Sequence, residues 1–453
     1  MKKSPLPRLL AGLTLVLLAP AALAKAPPAE VAKLGKSLTP VGAEMAGNAD
    51  GSIPAWDGGI TKPVAGYKLG DHHPDPFASD LPLLTITPQN YRDHAAKLTA
   101  GHQAMFAKYP TYKMVVYPTR RSASFPQRTY EMTAKNAATG TLVDNGAGVA
   151  DVAEGIPFPI PANGMEVIWN HKLKYKGVAV ERFSNQVVPT ATGQFTPIRV
   201  REQILGLYWK QGNTLADTNN VLTYFYQLVE SPARLAGQVL LVHETMNQLA
   251  LPRQAWVYNP GQRRVRKAPN VAYDNPGTAS DGLRTNDMTD MFNGALDRFD
   301  WTLVGKKEIY IPYNNYKIHK GGLKYEDIVR PGHINPDLMR YELHRVWVVD
   351  AVRKATARHI NGRRTFYLDE DSWQIVTIDH YDNAKNLWRV SEAATVNFYE
   401  VPVYWSTLES HYDLKAGRYI ASGLDNNEKE VDFTFQTRPE EFSPQALRNR
   451  GLR

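Results

Sequence analysis

The sequence contains no cysteine among its 453 residues. This absence excludes disulfide bonds, thiolate metal sites and a cysteine nucleophile, and it removes the lipidated cysteine that tethers a bacterial lipoprotein. A chain that folds without such crosslinks must depend on a large buried core. Its length allows either one large β-rich domain or two smaller domains.

Apolar runs long enough to cross a membrane are also absent from the sequence. The main apolar run, residues 9–18, follows three basic residues and precedes a small-residue site that ends at Ala24. Because this run is shorter than the roughly 20 residues needed to cross a bilayer, the pattern predicts a cleavable signal peptide, residues 1–24. We therefore expect an exported, soluble periplasmic protein that is not lipidated.

Positive charge is in mild excess and is not concentrated in one block. The formal net charge is +8, part of it lies in the predicted signal peptide, and no long Lys/Arg run follows. This balance argues against nucleic-acid binding, while anionic head groups and acidic small molecules remain open as ligands. Aromatic residues form 10% of the chain, which suits strands and apolar pockets.

The chain before residue 89 is rich in Pro, Gly and Asp. Since Pro removes a backbone donor and Gly costs backbone entropy, this composition disfavours a long helix or a central strand. Residues 25–88 are therefore predicted to form an extended arm that wraps over the domain. We expect Trp56, Tyr67 and Phe77 to anchor this arm.

One helix is predicted directly after the arm. Thr87 has the character of an N-cap, and Pro88 suits the first helical position. Side chains that would share one helical face then recur at spacings of three and four, namely Tyr91, Ala95, Leu98, His102, Met105 and Tyr109. This spacing predicts one continuous helix that Pro110 ends.

The rest of the chain, predicted as a single domain of residues 89–453, has mainly strand-like character. Alternating, β-branched or aromatic segments separated by turns include 112–118, 128–143, 166–175, 220–230, 238–246 and the hairpin 255–268. We predict a mainly β fold with a few helices, built as a large curved antiparallel sheet. Closure or near-closure would protect the sheet edges and leave an apolar cavity inside.

The longest stretch without either periodicity lies in a long loop predicted for residues 269–295, and it contains four Asp residues. Asp274 and Asp281 lie in turn sequences, where their side chains can accept hydrogen bonds from the backbone. Thr285 is predicted to cap a short helix whose N-terminal dipole Asp287 complements. Turns and a helix start therefore account for the carboxylates better than a catalytic site does.

The helix predicted in this loop would present an apolar face made of Met288, Met291, Phe292 and Ala295. Flexible thioethers suit a surface that adapts to varied apolar contents, so this face is either a cavity lid or part of the ordinary core. The residues predicted to line the cavity or its lid are Tyr273, Met288, Met291, Phe292 and Trp301.

A basic cluster lies on the hairpin just before this loop. Its residues Arg263, Arg264 and Arg266 could bind an anionic head group or an acidic partner. The alternative is that the cluster forms ion pairs with Asp274 and Asp281, which are close in sequence.

Motifs for covalent chemistry or metal binding are incomplete. No G-x-S-x-G sequence is present, and His243-Glu244 begins a zinc-protease motif in which Asn247 replaces the second histidine. His72 and His73 are neighbours in an extended segment, where adjacent side chains point apart, so a surface turn is favoured over a metal site. We therefore predict no catalytic residue, no metal ligand and no cofactor.

Several long motifs, in the same order along the chain, resemble one bacterial family. They are 38–59, 117–126, 273–316, 340–351 and 363–375. The family that they resemble is the periplasmic domain of unknown function thirteen twenty-nine, itself similar to the outer-membrane lipoprotein-sorting proteins. The resemblance covers nearly all of the mature chain and implies an unclosed, highly curved β-barrel with a helical lid over a hydrophobic cavity. It brings no catalytic residues with it.

The resemblance implies a soluble periplasmic carrier or chaperone that binds a lipid-like hydrophobic molecule and is not an enzyme. It also implies transport across the envelope, with an inner-membrane transporter of the resistance-nodulation-division type and an outer-membrane protein as partners. The alternative is an exported hydrolase acting on a lipid or glycan, which predicts carboxylates or histidines with perturbed pKa values inside the cavity. A third reading, an interaction module, predicts an exposed strip of aromatic residues.

Overall fold

A computed structural model describes residues 26–268, 271 and 273–451. The signal peptide predicted for residues 1–24 lies outside these residues, as do positions 269, 270 and 272 of the predicted loop. Within the described ranges, no helix is both long and apolar enough to cross a membrane.

The described chain is mainly β-structure. Its strands are β1 (Leu84–Ile86), β2 (Met114–Val116), β3 (Thr141–Val143), β4 (Gly148–Ala150), β5 (Ala179–Val187), β6 (Ile198–Gly206), β7 (Val221–Ser231), β8 (Val239–Thr245), β9 (Gln254–Asn259), β10 (Arg264–Lys267), β11 (Phe299–Pro312), β12 (Tyr341–Arg353), β13 (Arg363–Asp369), β14 (Ile375–Tyr381), β15 (Leu387–Phe398), β16 (Val403–Asp413) and β17 (Arg418–Leu424). The helices are α1 (Pro28–Val31), α2 (Ala100–Lys108), α3 (Gln127–Thr139), α4 (Gly164–Leu173), α5 (Tyr316–His319), α6 (Tyr325–Ile328) and α7 (Pro444–Gly451).

One large sheet contains all of these strands except β3 and β4, which pair with each other. The strand order is β1-β2-β12-β13-β14-β15-β16-β17-β5-β6-β7-β8-β9-β10, and β11 pairs with β12. Neighbours are antiparallel except at one short parallel contact between β2 and β12. Two consecutive meanders, β5 to β10 and β11 to β17, are therefore joined where β17 pairs with β5.

The sheet is strongly curved. Trp405 on β16 and Leu240 on β8 line the same cavity although five strand-to-strand steps separate them. In a flat sheet, with neighbouring strands about 4.8 Å apart, these two strands would lie roughly 24 Å apart. Among the described residues the end strands β1 and β10 are not paired with each other, so the predicted unclosed, curved antiparallel sheet is confirmed.

The helix predicted from Thr87 to Pro110 is interrupted. A 3-10 turn, Tyr91–Lys97, is followed by Leu98 in an extended conformation, and α2 begins only at Ala100. Thr99 caps α2, because its hydroxyl accepts a hydrogen bond from the backbone N–H of His102 at 3.0 Å. Within α2 the predicted helical face is present. The N-cap residue Thr99 lies within the predicted helix and interrupts it.

Two segments predicted as strands are helices. The segment 166–175 lies largely in α4, where the side chain of Asn163 caps the helix and the carboxylate of Glu166 accepts from the N–H of Ala162 at 2.6 Å. The segment 128–143 lies mostly in α3 and ends in β3. The strand prediction failed in α3 because three of its four buried residues, Thr129, Thr133 and Asn136, are polar, so the helix shows little hydrophobic periodicity.

Helix α4 fills one half of the curved interior. Its Val167, Ile168 and Trp169 are buried in one apolar cluster with Phe366 of β13 and Ile375 of β14. The other half of the interior, against β5 to β8, is left for the loop that follows β10. The candidate site lies in this second part of the concave face, between β5 to β8 and the loop.

The N-terminal arm packs against this structure, and its Val41 and Ile53 are buried in core clusters. Residues 26–83 contain α1 and otherwise turns and isolated bridges. Tyr67 stacks on His73 at a ring distance of 4.9 Å, and Phe77 lies beneath the guanidinium of Arg340 at 5.4 Å. Trp56 is half-buried.

Candidate functional site

Two adjoining chambers lie between the concave face of β5 to β8, strands β16 and β17, and the covering loop, defined here as residues 273–294. The volumes are about 110 Å³ and 70 Å³. Arg182, Phe225 and Leu240 line both chambers, as do Thr289 and Asp290 from the loop. The chambers are therefore two ends of one site.

The apolar chamber takes its character from alternating strand positions. Successive inward residues of β8, Leu240 and Val242, face Phe225 of β7, since every second side chain of a strand lies on the same face. Its apolar walls are Ile204, Trp209, Leu222, Phe225, Leu240, Val242, Val271, Phe292 and Trp405.

The polar chamber continues the same strands beyond Phe225. Here the inward positions are hydrophilic, and the wall residues include Arg182, Ser184, Gln186, Glu202, Gln227, Arg284, Ser406, Thr407, Glu409 and Ser422. Arg284 is the central cation: its side chain is buried, it donates to the hydroxyl of Thr289 at 3.2 Å, and its Nε has no hydrogen-bond partner among the described residues. Such a group can donate a hydrogen bond to an anionic oxygen.

Arg253 fastens the covering loop at the apolar end. Its guanidinium pairs with Glu244 of β8 and donates to the carbonyl oxygens of Val271, at 3.0 Å, and Asn293. One cation thus holds the end of the loop, and Val271 just before the loop, against a strand that lines the chamber. Charge-assisted hydrogen bonds of this kind are roughly twice as strong as neutral ones.

Asp287 fastens the middle of the loop. Its Oδ2 accepts from Arg364 of β13 at 2.7 Å and from His359 at 3.1 Å, and the hydroxyl of Thr285 donates to its Oδ1 at 2.5 Å. Burial alone would raise the pKa of Asp287, but Arg364 and His359 hold it below its usual range. The predicted cap is wrong: Thr285 makes no cap hydrogen bond, and the helix is a 3-10 turn of only three residues.

Asp290 is a chamber residue that gathers cations. It contacts the ammonium of Lys176, lies 3.9 Å from that of Lys174, and accepts from the indole N–H of Trp405 at 2.8 Å. Burial acts to raise the pKa of Asp290, and the two lysines hold it below its usual range. The pKa of the nearby Glu409 is raised by burial and by the charge of Asp290.

Two buried lysines at the end of α4 have weakened protonation. Burial lowers the pKa of Lys172 to about 8 and that of Lys174 to about 7. Lys172 donates to the carbonyl oxygen of Gly294 at 3.0 Å, whereas the Nζ of Lys174 has no hydrogen-bond partner in the described chain. The site thus contains more cationic side chains than its carboxylates can pair with.

The residues predicted from sequence are distributed unevenly around this site. Phe292 lines the apolar chamber, while Met291 is fully buried in the main core cluster and Met288 is 1% exposed. Trp301 packs against Phe292 from behind, at a ring distance of 5.6 Å. Tyr273 is half-buried and lies beneath the guanidinium of Arg298.

The basic hairpin lies outside the chambers. Arg263, Arg264 and Arg266 are exposed. The ion pairs proposed as their alternative are made by other residues, since Asp274 lies 3.7 Å from Arg298 and Asp281 pairs with Arg418 at 3.0 Å.

Sequence reasoning missed the polar wall residues and the lysines of α4. The sequence carries a partial signal of this wall. Arg182, Ser184 and Gln186 occupy every second position of β5, and Glu202 and Ile204 do the same in β6. Alternation alone does not tell whether a polar face meets solvent or a cavity.

The model of the family "Protein of unknown function (DUF1329)" matches residues 85–448. The "uncharacterized protein PA3922" of Pseudomonas aeruginosa is 51% identical over 443 residues, which covers 97% of each chain.

Three solved structures are similar at low identity. An outer membrane lipoprotein-sorting protein domain from Vibrio parahaemolyticus is 11% identical and covers 63% of this chain and 98% of its own, with a TM-score of 0.43. A DUF1329 family protein from Desulfovibrio piger is 13% identical, with 60% and 92% covered and a TM-score of 0.41. A LolA superfamily protein from Nitrosomonas europaea is 11% identical, with 62% and 98% covered and a TM-score of 0.37.

Since the family model spans most of the chain and the Pseudomonas relative matches nearly end to end, the chain belongs to the DUF1329 family, as its motifs predict.

Proposed function

We propose that this protein is a periplasmic carrier for a lipid-like hydrophobic molecule with an anionic end. The observation that supports this most directly is the pair of chambers, one apolar and one polar with the buried cation Arg284, beneath a loop fastened by charged side chains. The apolar part of the cargo would lie against Phe225 and Leu240. Its charged end would bind Arg284.

The chambers are too small to enclose a long acyl chain. A cavity of about 150 Å³ holds one benzene-sized molecule, and typical ligand pockets measure about 300–1,000 Å³. The apolar chamber, at about 110 Å³, therefore corresponds to a closed state. Loading requires the covering loop to move, which would separate the charged contacts of Arg253, Asp287 and Asp290 and withdraw Met291 and Phe292 from the core cluster.

An exported hydrolase would also show perturbed pKa values in its cavity. Here each perturbed group already serves the loop or its fastenings: Lys172 donates to the loop backbone, Glu409 accepts from the N–H of Met291 at 3.3 Å, and Lys174 lies beside Asp290. This arrangement favours carriage over catalysis. The same proposal includes delivery of the cargo to a transporter and an outer-membrane partner. The exposed basic hairpin would contact such a partner.

We expect Phe225→Asp to weaken binding of a dansyl-labelled fatty acid by at least about tenfold. A carboxylate in the apolar wall opposes the cargo's tail, and tenfold corresponds to about 1.4 kcal/mol. The matched control is Val257→Asp on β9, a strand position that is 38% exposed and should bind normally. Fluorescence titration gives the affinities.

Native mass spectrometry of protein purified without detergent tests the same proposal independently. Co-purified lipophile that solvent extraction removes is the expected result. An empty protein that cleaves an ester or glycosidic probe would overturn the carrier in favour of the hydrolase.

We expect the carrier to prefer a fatty acid over the fatty alcohol of equal chain length by about tenfold or more. A hydrogen bond to a charged group contributes about 1.5–3 kcal/mol, and Arg284 provides one in the polar chamber. Arg284→Gln should remove most of this preference while the alcohol still binds. The control is Arg266→Gln on the exposed hairpin. If that control loses the preference instead, the head group binds at the hairpin and Arg284 is excluded.

A further inference from the structure

A second cluster of titratable side chains lies where the N-terminal arm, α5 and the segment after β17 meet. His73 belongs to the N-terminal arm, His319 ends α5, and Glu430 follows β17. All three side chains are buried, with exposed fractions of 0%, 0% and 2%. Three segments far apart in the sequence thus meet around one point.

One atom of each side chain is held by a neighbour. The Nε2 of His73 contacts Glu400 at 2.7 Å, and the Nδ1 of His319 contacts the hydroxyl of Thr407 at 2.8 Å. The Oε1 of Glu430 accepts from the N–H of Val431 at 2.9 Å. These contacts fix the orientation of all three groups, in the way that carboxylates and hydroxyls orient histidines bound to metals.

The other atom of each side chain points inward. These atoms are the Nδ1 of His73, the Nε2 of His319 and the Oε2 of Glu430, and within the described part of the chain none has a hydrogen-bond partner. The carboxylate oxygen lies 3.7 Å from the first nitrogen and 3.3 Å from the second. All three atoms lie within 4.8 Å of one another.

The two distances from the carboxylate oxygen to the nitrogens are close to those of a tetrahedral metal ion. With bonds of about 2.0–2.1 Å to nitrogen and oxygen, two ligands of a tetrahedral Zn²⁺ are about 3.3–3.4 Å apart. Two imidazoles and one carboxylate are also a ligand set that Zn²⁺ accepts. Among the described residues the three atoms have no hydrogen-bond partner outside the cluster, so the cluster is either a buried ion-pair network or a set of metal ligands.

We propose that His73, His319 and Glu430 bind a divalent metal ion of the Zn²⁺ class. The ion would join the N-terminal arm, α5 and the segment after β17. In a chain without cysteine, it would supply the crosslink that disulfides supply elsewhere. This inference does not depend on the carrier function.

A second buried cluster is already paired with an arginine. His344, Asp369 and Asp371 also lie close together. There, both oxygens of Asp371 accept from the guanidinium of Arg121, at 2.7 and 2.8 Å. An arginine already occupies the carboxylate, which is why we assign the metal to the first cluster.

The burial of His73, which is 3% exposed, contradicts the surface turn predicted at His72 and His73. Neighbouring imidazoles in an extended segment are indeed poor joint ligands. The partners of His73 come instead from positions 319 and 430, which sequence spacing does not reveal.

The test uses the full protein, stripped with a chelator and then dialysed against Zn²⁺. We expect one zinc per chain by elemental analysis, and a raised melting temperature compared with the stripped protein. His73→Gln and Glu430→Gln should lose the bound zinc. Glu400→Gln, which changes only a positioning residue, should weaken zinc binding by about 10–100-fold.

The matched control is His102→Gln. His102 is also a fully buried histidine paired with a carboxylate, Glu392, at 3.1 Å, but it lies outside this cluster. This variant should retain its zinc. If His73→Gln does not fold, Co²⁺ added to the stripped wild-type protein should give the visible absorption of a tetrahedral site.

Two results would overturn the proposal. One is a wild-type protein that takes up neither Zn²⁺ nor Co²⁺, which would make the cluster an ion-pair network only. The other is zinc that remains bound in both His73→Gln and Glu430→Gln.

Discussion

Replacing Lys174 by methionine should stabilise the protein by about 2–4 kcal/mol at pH 6–7. The ammonium of Lys174 is completely buried and has no hydrogen-bond partner among the described residues. Burial lowers its pKa from 10.5 to about 7, and each pKa unit corresponds to about 1.4 kcal/mol. We expect less than the full amount, because the substitution also takes a cation from Asp290.

The gain should depend on pH in a defined direction. Between pH 7 and 10.5 the unfolded chain keeps the Lys174 proton and the folded chain has lost it, so the wild-type protein becomes more stable as pH rises. The methionine variant lacks this dependence. Its advantage should therefore shrink by about 1.4 kcal/mol per pH unit above pH 7 and vanish after roughly 1.5–3 pH units.

Urea unfolding at several pH values measures both effects. The control is Lys176→Met: this ammonium contacts Asp290 directly and is partly exposed, so its loss should not stabilise the protein. A Lys174→Met variant that is less stable than the wild type at pH 6 would show that the ammonium is a needed partner of Asp290. A lysine retained at such a cost suggests a role beside the chambers, since functional sites often reduce stability.

The second large effect is expected from Arg364→Met, which should destabilise the protein by about 3–5 kcal/mol at pH 7. Removing one partner of a buried ion pair leaves the other charge without compensation. Arg364 is 1% exposed and Asp287 is 2% exposed, and their contact holds the middle of the covering loop. The loss should diminish as pH falls, because the stranded carboxylate can then be protonated.

A double variant separates the effect of the lost charge from the effect of the lost side-chain packing. Arg364→Met combined with Asp287→Asn should recover much of the stability, because no buried charge remains and the amide can still bond to Thr285. The adjacent Arg363→Met is the control: its side chain is 45% exposed and pairs with Asp350, so its loss should cost less than about 1 kcal/mol. If Arg364→Met and Arg363→Met are equally stable, Asp287 does not need its arginine.

The strands could be read from the sequence because their signal is local. The segment 220–230 became β7, 238–246 became β8, and the hairpin 255–268 became β9 and β10. Alternation and turn residues lie within a few positions of one another, so tertiary contacts are not needed to recognise them.

The helices show where local reading was incomplete. Thr99 and the pair Asn163 and Glu166 are N-cap signals that mark the starts of α2 and α4. The predictions from hydrophobic periodicity overlooked these caps. In a helix that is buried on nearly all sides, such as α4, hydrophobic periodicity disappears.

The sequence by itself determined the absence of thiol chemistry, the strand-rich second half, the family, and a long carboxylate-bearing loop. Only the tertiary structure decided what those carboxylates do: Asp287 and Asp290 are paired with Arg364 and Lys176, not used in turns or caps. It also decided that His73, His319 and Glu430 converge. The physical reason is that charge pairing and metal ligation depend on distance in space, and the pairing of β17 with β5 brings together residues that no local pattern relates.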